Sequence, residues 1–321
     1  MTEPEKKIEE IGLFPVLAPT TAAHAELLAG ILCDGGMPAA EVTFRTPYAA
    51  EVIRRMTAAR PDMTVGAGTV LTPAQVDEAA AAGAAFIVAP GFDERVVARC
   101  REKGIPVMPG CATPSDLARA YTMGLTTVKF FPAEAAGGVR ALRAMAAPYG
   151  MMRFIPTGGI SPDNIASYLA CPAVLGCGGS FIIREKDYAA GDADAMRATV
   201  AAAVRAMFDF RLLHLGINAG CEAEAAAAVR VLSLLFGQPV REEKNAYFYG
   251  DWFEIMRRGG RGKNGHIGIL TNCLPRAVAY CRRLGFRFDG DSAGYDAAGN
   301  LRILYMTDEI LGFALHLTAR A

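Results

Sequence analysis

The chain has 321 residues, which is enough for one large domain or two ordinary ones. Lysine plus arginine and aspartate plus glutamate both number 33, so the zero net charge gives no general attraction to nucleic acid or to an anionic membrane. No apolar run is long enough to cross a bilayer, and the polar N-terminus lacks a signal-peptide core. The eight cysteines are scattered without paired spacings, which indicates reduced thiols. We therefore expect a cytoplasmic protein with neither a nucleic-acid partner nor a membrane partner.

Short apolar strands alternate with alanine-rich amphipathic helices from Phe14 to about Cys177. The predicted strands are Phe14–Ala18, Ala40–Phe44, Thr64–Gly68, Phe86–Ala89, Pro106–Gly110, Thr127–Phe131, Arg153–Thr157 and Val174–Gly178. This alternation predicts parallel pairing with right-handed crossovers. Because eight strands can close on themselves, we predict an α/β fold of the (β/α)8 TIM-barrel type, with an open doubly wound sheet as the alternative. A helix at Asp192–Phe208 would complete this domain, which we place at residues 1–208.

Lys129 lies within the apolar run of the sixth predicted strand. On a strand buried on both faces its ammonium group would lose hydration, so the neutral amine would become accessible. A neutral amine is a nucleophile that condenses with carbonyl groups to form a Schiff base. A lysine at a strand end with its ammonium group in water explains this run equally well. Other parts of the chain must therefore decide between a buried nucleophile and a solvated side chain.

Polar residues and glycines follow the predicted strands, at the ends where a barrel keeps its chemistry. The residues at these ends are Glu41, Arg45, Thr46, Gly68, Thr69, Pro90, Gly91, Gly110 and Thr113. The last two strands end in Thr157-Gly158-Gly159 and Gly178-Gly179-Ser180, whose backbone N–H groups suit a phosphate or a carboxylate. A tight turn explains either glycine pair alone, whereas both pairs together are typical of a barrel phosphate site.

Four motifs occur in a characteristic order along this domain. They are Glu41-Val42-Thr43-Phe44-Arg45-Thr46, Val65-Gly66-Ala67-Gly68-Thr69-Val70-Leu71, Val128-Lys129-Phe130-Phe131-Pro132-Ala133-Glu134 and Phe154-Ile155-Pro156-Thr157-Gly158-Gly159-Ile160. Together they resemble the 2-keto-3-deoxy-6-phosphogluconate (KDPG) and 4-hydroxy-2-oxoglutarate (KHG) aldolases, over about residues 8 to 190. That family consists of class I pyruvate aldolases with a trimeric (β/α)8 form, so the resemblance implies a homotrimer acting on a small 2-keto acid.

The resemblance also implies a role for each site residue. Lys129 would form the Schiff base, and Glu41 would be the general acid and base. Arg45 and Thr69 would bind the pyruvyl carboxylate. The other expected substrate-binding residues are Pro90, Phe131, Thr157, Gly158, Gly159, Gly179 and Ser180. Of these, Gly158, Gly159, Gly179 and Ser180 would surround the distal phosphate.

The chemistry of a retro-aldol cleavage agrees with these roles. The reaction needs an electron sink at C2 of the keto acid, which a protonated imine provides, so no metal cofactor is expected for this step. It also needs a group that takes the C4 hydroxyl proton and later protonates the enamine, which a carboxylate beside the imine can do. A guanidinium such as that of Arg45 can bind a carboxylate with two parallel hydrogen bonds. A surface ion pair between Glu41 and Arg45 is the alternative interpretation of those two residues.

One segment departs from the family pattern. Some members carry a basic residue at the end of the first strand that helps to bind phosphate, whereas this chain has Val16-Leu17-Ala18-Pro19. This weakens the expectation of a strictly 6-phosphorylated substrate, and 4-hydroxy-2-oxoglutarate stays open as an alternative.

A second domain is predicted at residues 209–321, with a smaller α+β fold. Its predicted elements are strand Arg211–Asn218, helix Glu222–Phe236, strands Pro239–Glu243, Ala246–Tyr249 and Trp252–Arg257, then strand Gly265–Thr271, helix Pro275–Leu284, and strands Phe286–Asp289, Ile303–Thr307 and Phe313–Thr318. The order amounts to two βαβββ repeats in tandem. It resembles the vicinal-oxygen-chelate (glyoxalase and bleomycin-resistance) fold.

Three of the four histidines of the chain lie in this second domain. His214 and His266 occupy the first strand of each repeat, and Glu254 and His316 occupy the last strand of each. In the fold that it resembles, these strand positions supply metal ligands, usually two His and two Glu, so His316 departs from that pattern. Such a ligand set suits Zn²⁺, Ni²⁺, Fe²⁺ or Mn²⁺. The alternative is a metal-free binding or oligomerisation module with ordinary histidines.

These observations predict a lyase that reversibly splits a 2-keto-4-hydroxy acid into pyruvate and an aldehyde. The aldehyde would be glyceraldehyde 3-phosphate from 2-keto-3-deoxy-6-phosphogluconate or glyoxylate from 4-hydroxy-2-oxoglutarate. Two other functions stay open: a metabolite-binding regulatory protein with an idle barrel, and a bifunctional enzyme with a second, metal-dependent activity in the C-terminal domain.

Overall fold

The computed structural model describes residues 1–320. The chain divides into two compact units, Met1–Met207 and Phe208–Ala321. Among the described residues, no helix combines the length and the apolar character needed to cross a membrane.

The first unit alternates strands with helices along the chain. Its strands are β1 (Leu13–Leu17), β2 (Ala39–Thr43), β3 (Thr64–Gly68), β4 (Phe86–Val88), β5 (Val107–Met108), β6 (Gly110–Cys111), β7 (Thr127–Phe130), β8 (Arg153–Pro156) and β9 (Cys177–Gly179). Its helices are α1 (Glu3–Ile11), α2 (Ala25–Asp34), α3 (Ala49–Ala59), α4 (Pro73–Ala81), α5 (Glu94–Glu102), α6 (Pro114–Thr122), α7 (Gly138–Ala146), α8 (Ile165–Leu169), α9 (Glu185–Ala190) and α10 (Ala193–Phe208).

The pairings of the first unit are all parallel. One sheet runs in the order β5-β4-β3-β2-β1-β9, and a second runs β6-β7-β8. Isolated parallel bridges join Phe154 to Val174 and Thr157 to Gly178, next to β8 and β9. This arrangement is an α/β fold in which consecutive strands lie side by side, as the repeated strand and helix pattern predicts.

The predicted fifth strand, Pro106–Gly110, is divided in the structure. Pro109 separates β5 from β6, since a proline has no N–H to donate to a neighbouring strand. The chain shifts partners at this point: β5 pairs with β4, whereas β6 pairs with β7. The eighth predicted strand, Val174–Gly178, begins later, at Cys177.

Helix starts in the first unit follow from local sequence. Thr72, Asp93 and Thr113 each accept a hydrogen bond from a backbone N–H of the first helical turn. Prolines occupy the first positions of α4 and α6, where no intrahelical N–H bond is lost. The polar N-terminal segment forms helix α1, with Ile8 and Ile11 buried on one face.

The core of the first unit contains large side chains without solvent exposure. Phe14, Phe86, Phe130 and Phe154 come from four different strands, and the rings of Phe14 and Phe86 meet edge to face with centroids 6.4 Å apart. Burying one such side chain contributes about 1.5–3 kcal/mol. The strands that hold the polar site residues are therefore anchored by apolar neighbours.

The second unit contains one mixed sheet and two helices packed with it. Its elements are β10 (Arg211–Asn218), α11 (Glu222–Phe236), β11 (Val240–Glu242), β12 (Ala246–Tyr249), β13 (Phe253–Met256), β14 (Gly265–Thr271), α12 (Leu274–Arg283), β15 (Gly294–Tyr295), β16 (Leu301–Ile310) and β17 (Phe313–Ala319). The sheet order is β11-β12-β13-β10-β14-β17-β16-β15. The first strand of each half lies at the centre, and each half runs outward from it through its fourth, third and second strands.

The prediction of a strand at Phe286–Asp289 is wrong. Only Phe288 forms an isolated bridge, with Met306, and a 3₁₀ turn follows at Gly290–Ser292. Asp289 caps that turn by accepting the N–H of Asp291, and the short strand β15 comes after it. An aspartate side chain that accepts a hydrogen bond from the backbone N–H two residues later favours a turn over strand pairing. This explains why no strand forms at Phe286–Asp289.

Candidate functional site

Lys129 and Glu41 form a buried ion pair inside the first unit. The Nζ atom of Lys129, on β7, lies 3.0 Å from Oε1 and 3.3 Å from Oε2 of Glu41, on β2. Their side chains are 5% and 1% exposed. The amine is therefore held away from bulk water and faces a carboxylate that can exchange a proton with it or with a bound molecule.

Room for the Glu41 carboxylate depends on Gly68. A Cβ atom added at Gly68 would overlap Oε1 of Glu41, because β2 and β3 are adjacent and Thr43 pairs with Gly68. Gly68 lies within the second of the four motifs, where no separate role was predicted for it. A glycine inside a strand often marks a close approach of another group, which is the signal that could have identified it.

Phe131 lies beside the lysine, and Gly158 and Thr157 follow the neighbouring strand β8. The Phe131 ring lies with its centroid 5.2 Å from Nζ of Lys129. Gly158 has φ 96°, and a Cβ atom there would be 3.3 Å from the Phe131 ring. The hydroxyl of Thr157 is buried and has no hydrogen-bond partner within residues 1–320, which leaves it available to a ligand.

Other predicted residues lie at strand ends, and no side-chain hydrogen bond or ion pair joins them to Lys129 in the described part of the chain. Arg45 is exposed in the turn after β2, and Ser180 is exposed directly after β9. Thr69 follows β3 with φ 54°, a left-handed conformation that costs a residue with a side chain about 1–3 kcal/mol and is found mostly at functional sites. The remaining predicted positions are Pro90 after β4, Gly159 beside Glu134, and Gly179 within β9.

A further contact, between Glu134 and Tyr168, was not predicted. The Tyr168 hydroxyl donates to Oε1 of Glu134, and burial raises the pKa of that tyrosine. A Cβ atom at Gly159 would lie 2.6 Å from Cβ of Glu134, so the glycine is needed for this packing. The contact ties the segment after β7 to helix α8 and so supports the loop that follows Lys129.

The second unit brings four predicted metal-binding side chains together. Nε2 of His214 lies 3.0 Å from Nε2 of His266 and 3.4 Å from Nε2 of His316. Oε2 of Glu254 lies 3.1 Å from Nε2 of His266 and 3.3 Å from Nε2 of His214. We call these four residues the histidine cluster.

The register of the sheet explains why the histidine cluster converges. Gly216 pairs with Glu254 on β13 and with His266 on β14. Gly268 pairs with His214 on β10 and with His316 on β17. The two halves thus each contain the string His-x-Gly, and the glycines leave space for the imidazoles of the neighbouring strands. Sequence reasoning missed both glycines, although the repeated string was visible.

Burial lowers the pKa of two imidazoles of the histidine cluster, those of His214 and His316. Desolvation lowers the pKa of His214 despite the nearby Glu254, and it lowers the pKa of His316 to about 3, with His214 and His266 adding to the shift. Nδ1 of His316 lies 2.9 Å from the hydroxyl of Thr318. A proton on that Nδ1 leaves the Nε2 lone pair facing the cluster, which is the form that binds a metal ion.

The donor set of the histidine cluster fits a transition-metal ion. Ligand atoms about 2.0–2.2 Å from a common centre are separated from one another by about 3.0–3.5 Å. The separations from His214 to His266, His316 and Glu254, and from His266 to Glu254, are 3.0–3.4 Å and lie in this range, so Glu254 approaches the group through His214 and His266. The three histidine nitrogens lie within 4.8 Å of one another. Three nitrogens and one carboxylate oxygen are ligands that Zn²⁺, Ni²⁺, Fe²⁺ and Mn²⁺ all accept.

Comparison with known proteins relates the first unit to one family. The family model described as KDPG and KHG aldolase matches residues 5–199. The 2-dehydro-3-deoxy-phosphogluconate aldolase of Treponema pallidum is 46% identical over 185 residues, which cover 58% of this chain and 88% of the relative. The KHG/KDPG aldolase of Escherichia coli K12 is 45% identical over 180 residues, which cover 56% of this chain and 84% of the relative.

Solved structures give the same result. A KDPG aldolase from Legionella pneumophila, with pyruvate captured as a covalent carbinolamine intermediate, aligns with a TM-score of 0.60 and 35% identity over 63% of this chain and 98% of its own. A 4-hydroxy-2-oxoglutarate/KDPG aldolase from TTHB1 aligns with a TM-score of 0.59 and 37% identity over 64% of this chain and 99% of its own. The family match ends before the second unit begins. The motifs, the fold of the first unit and these matches agree, and the chain belongs to the KDPG and KHG aldolase family.

Proposed function

We propose that the first unit is a class I aldolase in which Lys129 forms a Schiff base with the keto carbon of the substrate. The observation that supports this most directly is the ion pair between Lys129 and Glu41, buried and 3.0 Å long. Transfer of the lysine proton to the carboxylate gives the neutral amine that attacks C2. Loss of water from the resulting carbinolamine gives the protonated imine, which accepts the electron pair of the breaking C3–C4 bond.

Glu41 is the proposed proton carrier of the cycle. The C4 hydroxyl gives up its proton as the C3–C4 bond breaks, and an aldehyde leaves. The enamine that remains is protonated at C3 by the same carboxyl group, and water then hydrolyses the imine to release pyruvate and the free lysine. Because the carboxylate lies 3.0 Å from the nitrogen that would form the imine, we expect it to reach both the C4 hydroxyl and C3 of a bound substrate.

The remaining strand ends are proposed to hold the substrate. Arg45 and Thr69 would bind the pyruvyl carboxylate, while Phe131, Pro90 and Thr157 would form the walls. In support, Arg45 and the hydroxyl of Thr157 have no side-chain partner within residues 1–320. Backbone N–H groups of Gly158, Gly159, Gly179 and Ser180 are the proposed contacts of the distal phosphate.

Trapping tests the Schiff base. The full chain incubated with pyruvate and borohydride should gain the mass of a reduced pyruvyl adduct at Lys129, located by peptide mapping. Lys103, which is exposed and paired with Asp77, provides an internal control peptide that should stay unmodified. An unmodified Lys129 in an active preparation would rule out the class I mechanism.

Both KDPG and KHG are proposed substrates. Relatives carry both names, and the segment at the end of β1 lacks a cation that would favour a phosphate. Pyruvate release should be measured on both keto acids, with and without a chelator. Cleavage that persists with the chelator supports a mechanism that needs no metal, whereas loss of cleavage contradicts it.

We also propose that the parallel strands of the first unit form a (β/α)8 barrel and that the chain assembles as a homotrimer. The parallel pairing of β1 with β9 supports closure, because it joins the first and the last strand of the unit, and the bridge between Thr157 and Gly178 links β9 in turn to the end of β8. Light scattering coupled to size exclusion measures the assembly, and a monomer at micromolar concentration would contradict the trimer.

For the second unit we propose a divalent-metal centre formed by the histidine cluster, in a fold of the vicinal-oxygen-chelate type with two βαβββ repeats. The sheet order and the matching positions of His214 and His266 support it. A metal ion there would supply a Lewis acid that polarises an oxygen atom of a bound molecule. The unit would then add a second activity, or a metabolite-binding regulatory role, to the aldolase.

Elemental analysis tests this centre. The purified full chain should contain about one Zn, Ni, Fe or Mn ion per subunit, and the His214→Ala/His266→Ala double variant should lose it. His24→Ala, in the first unit, is the control for loss of a histidine. Equal metal content in the wild type and the double variant would contradict the centre.

A further inference from the structure

The histidine cluster lies between two aromatic side chains that occupy equivalent positions in the two halves of the sheet. Phe248 on β12 pairs with Glu254, and its ring centroid is 6.4 Å from that of His214. Tyr305 on β16 pairs with His316, and their ring centroids are 4.8 Å apart. The two rings therefore flank the cluster on opposite sides along the sheet.

Each of these aromatic rings carries an arginine on its face. The guanidinium carbon of Arg241 lies 4.4 Å from the Phe248 ring centroid, and that of Arg261 lies 4.7 Å from the Tyr305 ring centroid. Arg241 also contacts Glu243 at 3.1 Å, and Arg261 contacts Asp289 at 2.8 Å. Each arginine keeps further N–H donors beyond the one used in its ion pair.

The charges around the histidine cluster do not cancel once a metal ion is bound. Each arginine is balanced by its own carboxylate, and Glu254 is the carboxylate within the cluster. A divalent ion held by three neutral imidazoles and one carboxylate keeps one net positive charge, which a second carboxylate in place of His316 would have removed. His316 therefore makes the centre cationic.

The cluster has a route to solvent. The side chains of His214 and Glu254 are 14% and 17% exposed, whereas His266 and His316 lie deeper. The hydroxyl of Tyr305 has no hydrogen-bond partner among residues 1–320, so it can donate to a molecule that enters. A molecule that binds here meets a cationic centre, two arginines and a free hydroxyl.

We propose that the C-terminal centre binds a small organic carboxylate with one negative charge, seated between Phe248 and Tyr305, with Arg241 and Arg261 attracting and orienting it. This inference rests on the metal centre proposed above. It specifies the ligand class, because a neutral ligand would gain nothing from the positive charge of the centre or of the two arginines.

The test uses the full chain loaded with Co²⁺, whose visible absorption reports on the ligands of the ion. Glycolate is the probe, and glycolamide is the neutral control of the same size. Because neither compound has a keto group, neither forms an imine with Lys129. Glycolate should change the cobalt spectrum saturably, and glycolamide should bind at least about tenfold more weakly, since it lacks the charge.

Arginine variants test the proposed contacts. Arg261→Gln and Arg241→Gln should each weaken glycolate binding about fivefold to tenfold without changing Co²⁺ affinity. Arg287→Gln is the matched control, because Arg287 lies in the same unit and also pairs with one carboxylate, Asp308. This control should bind glycolate as the wild type does.

The outcomes distinguish the two proposals. A chain that takes up one Co²⁺ but shows no response to glycolate, or an equal response to glycolamide, overturns the carboxylate site and leaves the metal centre intact. Unchanged glycolate affinity in both arginine variants overturns the role of the arginines. A chain that takes up no Co²⁺ at the histidine cluster overturns the metal centre and this inference with it.

Discussion

The two units of this chain each bury a polar centre on a sheet, but the two centres balance their charges differently. In the first unit, Lys129 and Glu41 supply one cation and one anion in direct contact. In the second, three imidazole nitrogens and one carboxylate oxygen lie together, with contacts of 3.0–3.4 Å. The first centre is balanced by its own side chains, whereas the second brings together the atoms that a metal ion requires.

Both centres also depend on glycines that leave space for a neighbour's side chain. Gly68 makes room for the Glu41 carboxylate, and Gly216 and Gly268 make room for the imidazoles. In each case the polar side chain and the glycine come from adjacent strands. The comparison teaches that the geometry of a site on a sheet depends on the glycines that leave space as well as on the polar side chains that fill it. The following variants test this contrast.

The largest effect is expected for Lys129→Met. Without the amine no imine forms, so pyruvate release should fall by about 10⁴-fold or more. Met occupies similar volume, but it leaves Glu41 buried without its partner, which should lower the free energy of unfolding by about 3–5 kcal/mol. Activity assays and denaturant melts measure both effects. Metal content should stay at the wild-type value, and activity within tenfold of wild type would contradict the proposed mechanism.

Glu41→Gln should reduce kcat by about 10²–10⁴-fold, because the amide cannot carry a proton. The amide keeps the shape of the side chain, so borohydride trapping of pyruvate at Lys129 should persist. The measurement is the ratio of turnover to trapping. If trapping falls as far as turnover does, Glu41 acts by holding the lysine and not by transferring protons.

Gly68→Ala should lower kcat by about 10²-fold, since the new methyl group displaces the Glu41 carboxylate from Lys129. Gly91→Ala is the matched control, because a Cβ atom at Gly91 would have no neighbour within 4 Å. Steady-state kinetics of both variants measure the difference. Equal rates would show that Gly68 does not govern the position of Glu41.

Thr318→Val should weaken metal binding by the second unit about 10–100-fold, because His316 loses the partner of its Nδ1 atom. Competition with a chromophoric chelator measures the affinity. The aldolase rate should be unaffected. Unchanged metal affinity would indicate that Thr318 does not orient the imidazole.

The smallest effect is expected for Gly268→Ala. The added Cβ atom would lie 3.0 Å from Nε2 of both His214 and His316, so these rings must shift slightly, and metal affinity should fall about fivefold to tenfold. Gly290→Ala, where a Cβ atom has open space, is the control in the same unit. A variant that binds metal as tightly as this control would show that the glycine is dispensable.

The structure confirms the sequence-based expectation of an α/β fold at the N-terminus and of a sheet-rich region at the C-terminus. Strands such as β1 and β4 were predictable because a continuous apolar run bounded by turn residues is typical of a buried parallel strand. The break at Pro109 and the turn at Asp289 were not anticipated, because each depends on one local backbone group that interrupts an apolar pattern.

The amino-acid sequence by itself determined the family of the first unit and predicted Glu41 and Lys129 as its candidate site residues, because the ordered motifs around them are local strings. It also placed His214, His266 and His316 at matching positions in two repeats. Only the tertiary structure decided the 3.0 Å contact between Lys129 and Glu41, the convergence of the histidines, and the positions of Phe248, Tyr305 and their arginines. These features arise from strand register, which joins residues that are far apart in the chain and which no local pattern encodes.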